Sequence, residues 1–219
     1  MRDLANTSPS ARLYPRGGAR RDPQISSTEL SEAECRAMQN GARRAIEIGK
    51  PYNRFITVLL EKGGFPERDA AAATRAFIKL IADWLREKGG RLCWTYSLEW
   101  GSQNLSHVHI LLHIPPDLDK KFRPMPQRWA KSFLPLGKFA GAVLSKRIRG
   151  ANTPDGVSVG LYDRELWADL YYLMKAAPVA LEEPLAMLGR GRPGIRWGQS
   201  SLVFGKRSGS WQERRADNQ

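Results

Sequence analysis

The chain has 219 residues and a mass of 24.6 kDa, which is enough for one domain with a substantial core. Its 42% hydrophobic content argues against a disordered chain, and its formal charge of +13 favours a polyanionic partner, nucleic acid before an anionic membrane surface. The two cysteines, Cys35 and Cys93, indicate a reducing compartment, and no apolar run has the length of a signal peptide or a membrane span. We expect a cytoplasmic protein with no membrane partner.

The sequence divides into three parts. Residues 1–27 mix Arg with Pro, Gly and Ser and have no hydrophobic period, which predicts a basic flexible arm. Residues 28–188 carry the periodic patterns of a folded domain. Residues 189–219 form a basic Gly- and Arg-rich tail, in which "SLVFG" (residues 201–205) is the strand candidate.

The first half of the domain alternates helical and strand patterns. Capping residues and a helical period predict a helix that ends at Gly49, followed by a strand in "NRFITVLLE". The clearest helix of the chain begins near Pro66 and ends at Gly89. "RLCWTYSLEW" and "SHVHILLHI" are then two strands of a hairpin, with "GSQNL" as a loop of about five residues.

The second half continues with a short helix around "PQRWAKSFL", a strand in "FAGAVLSKRI" and a helix in "YDRELWADLYYLMKAAP". Asp163 is the predicted N-cap of this last helix, and Pro178 is its terminator. The order βαββαβ plus a tyrosine-bearing helix predicts an α+β fold. We expect a central antiparallel sheet with helices packed on it, in ferredoxin-like or RRM-like order.

The region after Pro116 is strongly basic, as are both termini. Clustered cations of this kind bind the phosphate backbone of nucleic acids in a salt-dependent way. The predicted nucleic-acid-binding residues are Lys120, Lys121, Arg123, Arg128, Lys131, Lys146, Arg147 and Arg149.

All three histidines of the chain, His107, His109 and His113, lie in one predicted strand. They share a face because side chains alternate along a strand, so the apolar residues between them form the core face. The hairpin brings Glu99 back beside His107, and two imidazoles with one carboxylate can bind a divalent ion while leaving positions open. Mn²⁺ or Zn²⁺ suits this set, whereas Mg²⁺ prefers more oxygen, which phosphate could supply. His113 lies about 13 Å from His109 along an extended strand and is left out.

The last predicted helix carries Tyr171, Tyr172 and Lys175. On a helical wheel Tyr171 flanks the apolar stripe, whereas Tyr172 and Lys175 lie off it and are neighbours three residues apart. The Lys175 ammonium could favour the Tyr172 phenolate or hold a scissile phosphate near it.

In this order the motifs resemble the HUH endonuclease superfamily, specifically the single-tyrosine initiators of rolling-circle replication in plasmids and viruses. "RFITVLLE" looks like the first strand motif, "HVHILLH" like the His-hydrophobic-His motif, and "YLMK" like the Tyr-x-x-Lys motif of a later helix. The resemblance covers about residues 53–177, and it implies that residues 28–188 are an HUH-type endonuclease domain. The adjacent Tyr171 and Tyr172 depart from two-tyrosine members, whose tyrosines are about one helical turn apart.

The resemblance implies a function and a set of roles. Glu99, His107 and His109 would bind Mn²⁺ or Mg²⁺, which polarises a scissile phosphate of single-stranded or hairpin DNA. Tyr172 would attack that phosphate, leaving a 5′-phosphotyrosyl link and a free 3′-OH, and Lys175 would position the phosphate or stabilise charge. The chain has no P-loop motif, so a helicase and a polymerase would come from the host.

Three alternatives stay open. A single-tyrosine transposase of the same superfamily would use the same chemistry at a stem-loop. A non-catalytic RRM-like nucleic-acid-binding protein would carry an aromatic pair on a central strand, and the "HVHILLH" strand offers imidazoles there. A metal-dependent hydrolase without a covalent intermediate would leave Tyr172 without a role.

Overall fold

The computed structural model describes residues 29–101, 104–137, 139–151, 160–186 and 208–210. The predicted arm and the strand candidate at 201–205 lie outside these ranges. The helices are α1 (Glu32–Glu47), α2 (Ala70–Arg86), α3 (Asp119–Phe122), α4 (Met125–Phe133) and α5 (Leu161–Leu173). The strands are β1 (Arg54–Leu59), β2 (Trp94–Gly101), β3 (Leu105–Leu112), β4 (Val143–Arg147) and β5 (Ser208–Ser210).

The strands form one antiparallel sheet in the order β4-β1-β3-β2-β5. The first four strands have the ferredoxin-like arrangement, which confirms the predicted α+β fold. The short β5 extends the sheet beside β2, at residues that the sequence did not predict as a strand. The hairpin loop is shorter than predicted, because Gly101 of β2 still pairs with Leu105 of β3.

One face of the sheet packs against α2 and α4. Val108, Ile110 and Leu112 of β3 are buried there against Phe77 and Ile81 of α2. The alternation of apolar residues along β3 and the helical stripe of α2 therefore meet as their periods predict.

The opposite face, which carries His107 and His109, packs against α1 and α5. Phe55 of β1 and Leu111 of β3 are buried on this face together with Leu166 and Leu170 of α5. The sequence predicted that the apolar core would lie on the other face only, and this was wrong. Phe55 and Leu111 lie on the same face as the imidazoles, and their apolar side chains pack with those of α1 and α5 in a second buried layer.

The two helices of this second layer, α1 and α5, begin and end at identifiable residues. Ser31 and Glu34 form a capping box at the start of α1, and Gly49 after its end has a φ of +69° that suits glycine. The predicted N-cap of α5 was wrong. The helix begins at Leu161 after Gly160, and Asp163 instead accepts a hydrogen bond from the Trp167 indole nitrogen at 2.6 Å, one turn along the same helix.

Candidate active site

Glu99, His107 and His109 form a compact buried cluster on the α5 face of the sheet. Their exposed fractions are only 2%, 6% and 4%, and one potential ligand atom from each lies within 4.8 Å of the other two. The Nε2 atoms of His107 and His109 are 3.7 and 3.8 Å from the same Glu99 oxygen. Two imidazole nitrogens and one carboxylate oxygen are a donor set that fits a divalent transition ion. Elsewhere in the described ranges no other such group occurs.

The pairing of β2 with β3 brings the three residues together. Glu99 lies directly opposite His107, and Ser97 lies opposite His109. The Ser97 hydroxyl is 3.3 Å from a Glu99 oxygen and donates to it, which helps to orient the carboxylate. The predicted placement of Glu99 beside the histidines across the hairpin is confirmed.

The surroundings of His107 keep its ring neutral at physiological pH. The pKa of His107 is lowered to about 4, chiefly by burial and to a lesser extent by the positive charges of Lys175 and Lys62. The Nδ1 atom is 2.8 Å from the Leu105 carbonyl oxygen, which can only accept a hydrogen bond. The proton of the neutral ring therefore resides on Nδ1, and the lone pair of Nε2 points toward Glu99.

Tyr172 and Lys175 lie against this cluster although they are more than 60 positions further along the chain. The Tyr172 ring packs edge-on against His109, with 5.0 Å between the ring centroids. The Lys175 ammonium forms an ion pair with Glu99 and lies 3.8 Å from the centre of the Tyr172 ring. The structure therefore brings together all five residues of the predicted metal and nucleophile set.

Tyr171 lies on a different side of α5 from Tyr172. Its side chain is 2% exposed, and its hydroxyl donates to the Ala186 carbonyl oxygen at 3.3 Å. The residues of the predicted apolar stripe are all buried in the same layer, but α5 ends at Leu173, earlier than predicted, so Met174, Lys175 and Ala177 follow the helix. The buried stripe residues are Leu166, Leu170, Leu173, Met174 and Ala177. Tyr171 is therefore buried in the apolar layer, whereas Tyr172 contacts His109.

His113 is separate from the cluster, as the spacing predicted. It follows the end of β3, and its Nδ1 atom is 2.7 Å from the Pro51 carbonyl oxygen. Burial lowers the pKa of His113. These contacts fit a structural imidazole that holds the segment before β1.

The eight predicted nucleic-acid-binding residues are all exposed, but they do not form one surface. Those on or beside α3 and α4 belong to the layer opposite the Glu99 cluster: Lys120, Lys121, Arg123, Arg128 and Lys131. Two of the three at β4 are held by buried carboxylates. Lys146 pairs with Asp169 of α5 at 2.8 Å, and Arg147 pairs with Asp119, which also binds the buried Arg54.

Among the predicted basic residues, Lys146 lies near the Glu99 cluster, because it contacts Phe55. Its ammonium lies 4.7 Å from the centre of the Phe55 ring, which in turn packs against His109 and Tyr172 at 5.5 and 6.1 Å between centroids. Because the Lys146 side chain is 43% exposed, it remains accessible to a phosphate beside the cluster.

The sequence did not single out Thr57, Phe55 or Lys62 as parts of the site. Thr57 and Phe55 lie on β1, where Thr57 pairs with His109 in the sheet. The sequence does show Thr57 as a polar residue within the apolar run "RFITVLLE". Whether Thr57 contacts a histidine depends on the register between β1 and β3, which the sequence does not reveal.

Comparisons of the chain with protein-family models, with curated proteins and with solved structures find no match. Within the described ranges, every helix is too short or too polar to span a bilayer.

Proposed function

We propose that this protein nicks and rejoins single-stranded or hairpin DNA, with Tyr172 as the nucleophile and a divalent ion held by Glu99, His107 and His109. The proposed biological role is the initiation of rolling-circle replication of a plasmid or phage in the cytoplasm. The observation that carries the proposal is the contact of Tyr172 and Lys175 with a buried histidine and carboxylate cluster from the distant β2–β3 hairpin.

The donor set supports the choice of ion. A buried site with two imidazoles and one carboxylate suits Mn²⁺, and phosphate oxygens of the substrate would complete the oxygen-rich shell that Mg²⁺ prefers. When bound, such an ion polarises the scissile phosphate as a Lewis acid. Glu99 and the two histidines would hold it, and the contact between Glu99 and Lys175 would keep a second positive charge beside the phosphate.

The proposed step is a transesterification in which every atom is accounted for. The Tyr172 oxygen forms a bond to phosphorus, and the bond from phosphorus to the 3′ oxygen breaks. The phenolic proton is released, and the leaving 3′ oxygen takes up a proton to become a 3′-OH. The products are a 5′-phosphotyrosyl link and a free 3′-OH that can prime synthesis by a host polymerase or reverse the step.

The two covered faces of the sheet disfavour a binding mode like that of an RRM. Such proteins stack bases on an open sheet face, whereas here α2 and α4 cover one face and α1 and α5 the other. Lys146 would contact the phosphate backbone beside the nicked position, and the exposed basic residues of α3 and α4, on the opposite layer, would contact it further along the strand. A host helicase would supply the single strand.

The test is a covalent adduct. The full chain is incubated with Mn²⁺ and labelled single-stranded DNA from its own replicon, and the products are separated under denaturing conditions. We expect a labelled protein band in the wild type, and we expect no band in Tyr172→Phe, because phenylalanine has no nucleophilic oxygen.

Tyr171→Phe is the matched control, since it removes the same atom from the neighbouring residue. Its hydroxyl donates to the Ala186 carbonyl oxygen, so the adduct should persist. An adduct that survives Tyr172→Phe and disappears in Tyr171→Phe would contradict the proposal.

A further inference from the structure

We propose that Thr57 is a positioning residue that holds the His109 ring in the orientation needed to bind the ion and accepts its Nδ1–H when the ion is bound. The Thr57 hydroxyl oxygen is 2.8 Å from Nδ1 of His109, and the two residues are direct partners in the pairing of β1 with β3. Both are buried, with exposed fractions of 7% and 4%. The inference rests on the proposed metal site and adds a third strand, β1, to its construction.

The two histidines are held by chemically different partners. The Leu105 carbonyl can only accept, so it fixes the proton of His107 on Nδ1. The Thr57 hydroxyl can accept or donate, so it holds the His109 ring in either neutral tautomer. A cation at Nε2 requires the lone pair there and the proton on Nδ1. Thr57 then accepts this proton in a hydrogen bond, and His109 becomes a ligand without rotating its ring.

Threonine suits this position for two further reasons. Its β-branched side chain is favoured in a strand and has a restricted χ1 angle, which holds the hydroxyl at a defined point beside Nδ1 of the His109 ring. The rings of Phe55, His107 and Tyr172 also pack against His109, with centroid distances of 5.5, 4.9 and 5.0 Å. The hydroxyl therefore supplies a polar contact at Nδ1, on a ring that is otherwise packed among aromatic side chains and faces Glu99 at Nε2.

The test is the affinity for Mn²⁺ alone, measured by titration of the full chain without DNA. Thr57→Val keeps the shape of the side chain and removes the hydroxyl, and we expect it to weaken Mn²⁺ binding by about 10- to 100-fold, as loss of an outer-shell partner does. Thr57→Ser keeps the hydroxyl and should bind nearly as the wild type does. Thr74→Val on α2 is the matched control, since Thr74 is equally buried on the other side of the sheet and should leave binding unchanged.

A second measurement follows the ring itself. Side-chain nitrogen NMR of the metal-free protein should reveal a shift of His109 toward the Nε2–H tautomer in Thr57→Val, because Nδ1–H has lost its acceptor and Nε2 faces Glu99. Thr57→Ala replaces Thr57→Val if the latter does not fold. Equal Mn²⁺ affinity in the wild type and Thr57→Val would overturn this inference alone. Failure of the wild type to bind Mn²⁺ would overturn the proposed function, and this inference with it.

Discussion

The two faces of the sheet bury similar apolar layers but treat polar groups differently. Under α2 and α4, aromatic rings pack edge to face around Phe77, Trp84, Phe122 and Trp129. Under α1 and α5, the apolar layer surrounds a carboxylate, two imidazoles, a hydroxyl and an ammonium. Burial of polar and charged groups costs free energy that apolar side chains of similar size would not. We therefore expect the first face to contribute most to stability, and we attribute the polar groups of the second face to the proposed chemistry.

The largest effect should come from the apolar face. Phe77→Ala removes a fully buried ring that packs against Trp129 and Phe133, with centroids 6.3 and 5.3 Å away. We expect the free energy of unfolding in urea to fall by about 3–5 kcal/mol. The affinity of the remaining folded protein for Mn²⁺ should not change. A loss of stability well below this range would mean that the two faces do not differ as described.

The second largest effect should come from Asp119, which forms ion pairs with Arg54 and Arg147 at the edge of the apolar face. Asp119→Ala leaves the buried guanidinium of Arg54 without its carboxylate, and we expect the free energy of unfolding to fall by about 3 kcal/mol. The exposed Asp117, two residues earlier, provides the control, and Asp117→Ala should leave stability unchanged. Equal unfolding curves for both variants would show that the buried pair contributes nothing, and Arg147 would then be available to nucleic acid.

In the polar cluster we expect a smaller change in the free energy of unfolding, and no loss of stability. The double substitution Glu99→Gln with Lys175→Met removes both charges of a buried ion pair at once. The variant should be at least as stable as the wild type, to within about 1 kcal/mol, because the desolvation cost of the pair disappears with its attraction. Its binding of Mn²⁺ should be lost. If unfolding in urea instead revealed a loss as large as that of Phe77→Ala, the cluster would be a structural element.

The smallest effect concerns His113, which lies outside the cluster. Burial lowers the pKa of His113 below its ordinary value of 6.5, so on acidification the unfolded chain takes up the proton before the folded protein does. The free energy of unfolding should therefore fall as the pH decreases from about 7 to about 5. His113→Asn should make this fall shallower. Identical slopes for wild type and variant would exclude His113 as a contributor.

Much of this architecture could be predicted because its causes are local. The alternation along β3 placed His107 and His109 on one side, and the hairpin placed Glu99 opposite them. The helical period of α5 separated Tyr171 from Tyr172. Each of these depends on residues close in the sequence, where the periods of 2.0 and 3.6 fix which side chains share a face.

The rest depends on how distant elements dock, and no local period contains that information. The contact of Thr57 with His109 requires the register of β1 against β3. The pairing of Lys146 with Asp169 requires α5 to lie over β4, and it made a predicted DNA contact partly structural. The residue type of Asp163 predicts an N-cap, but in the structure its side-chain oxygen accepts a hydrogen bond from Trp167, one turn along the helix.

The proposed function requires that the α5 face of the sheet bind one divalent ion on Glu99, His107 and His109. Electron paramagnetic resonance of Mn²⁺ titrated into the full chain measures this binding, with His113→Asn as a control outside the cluster. We predict one bound ion per chain in the wild type and in His113→Asn, and none at the same concentrations in His109→Ala. Equal binding by the wild type and His109→Ala, or loss of binding in His113→Asn alone, would contradict the proposal.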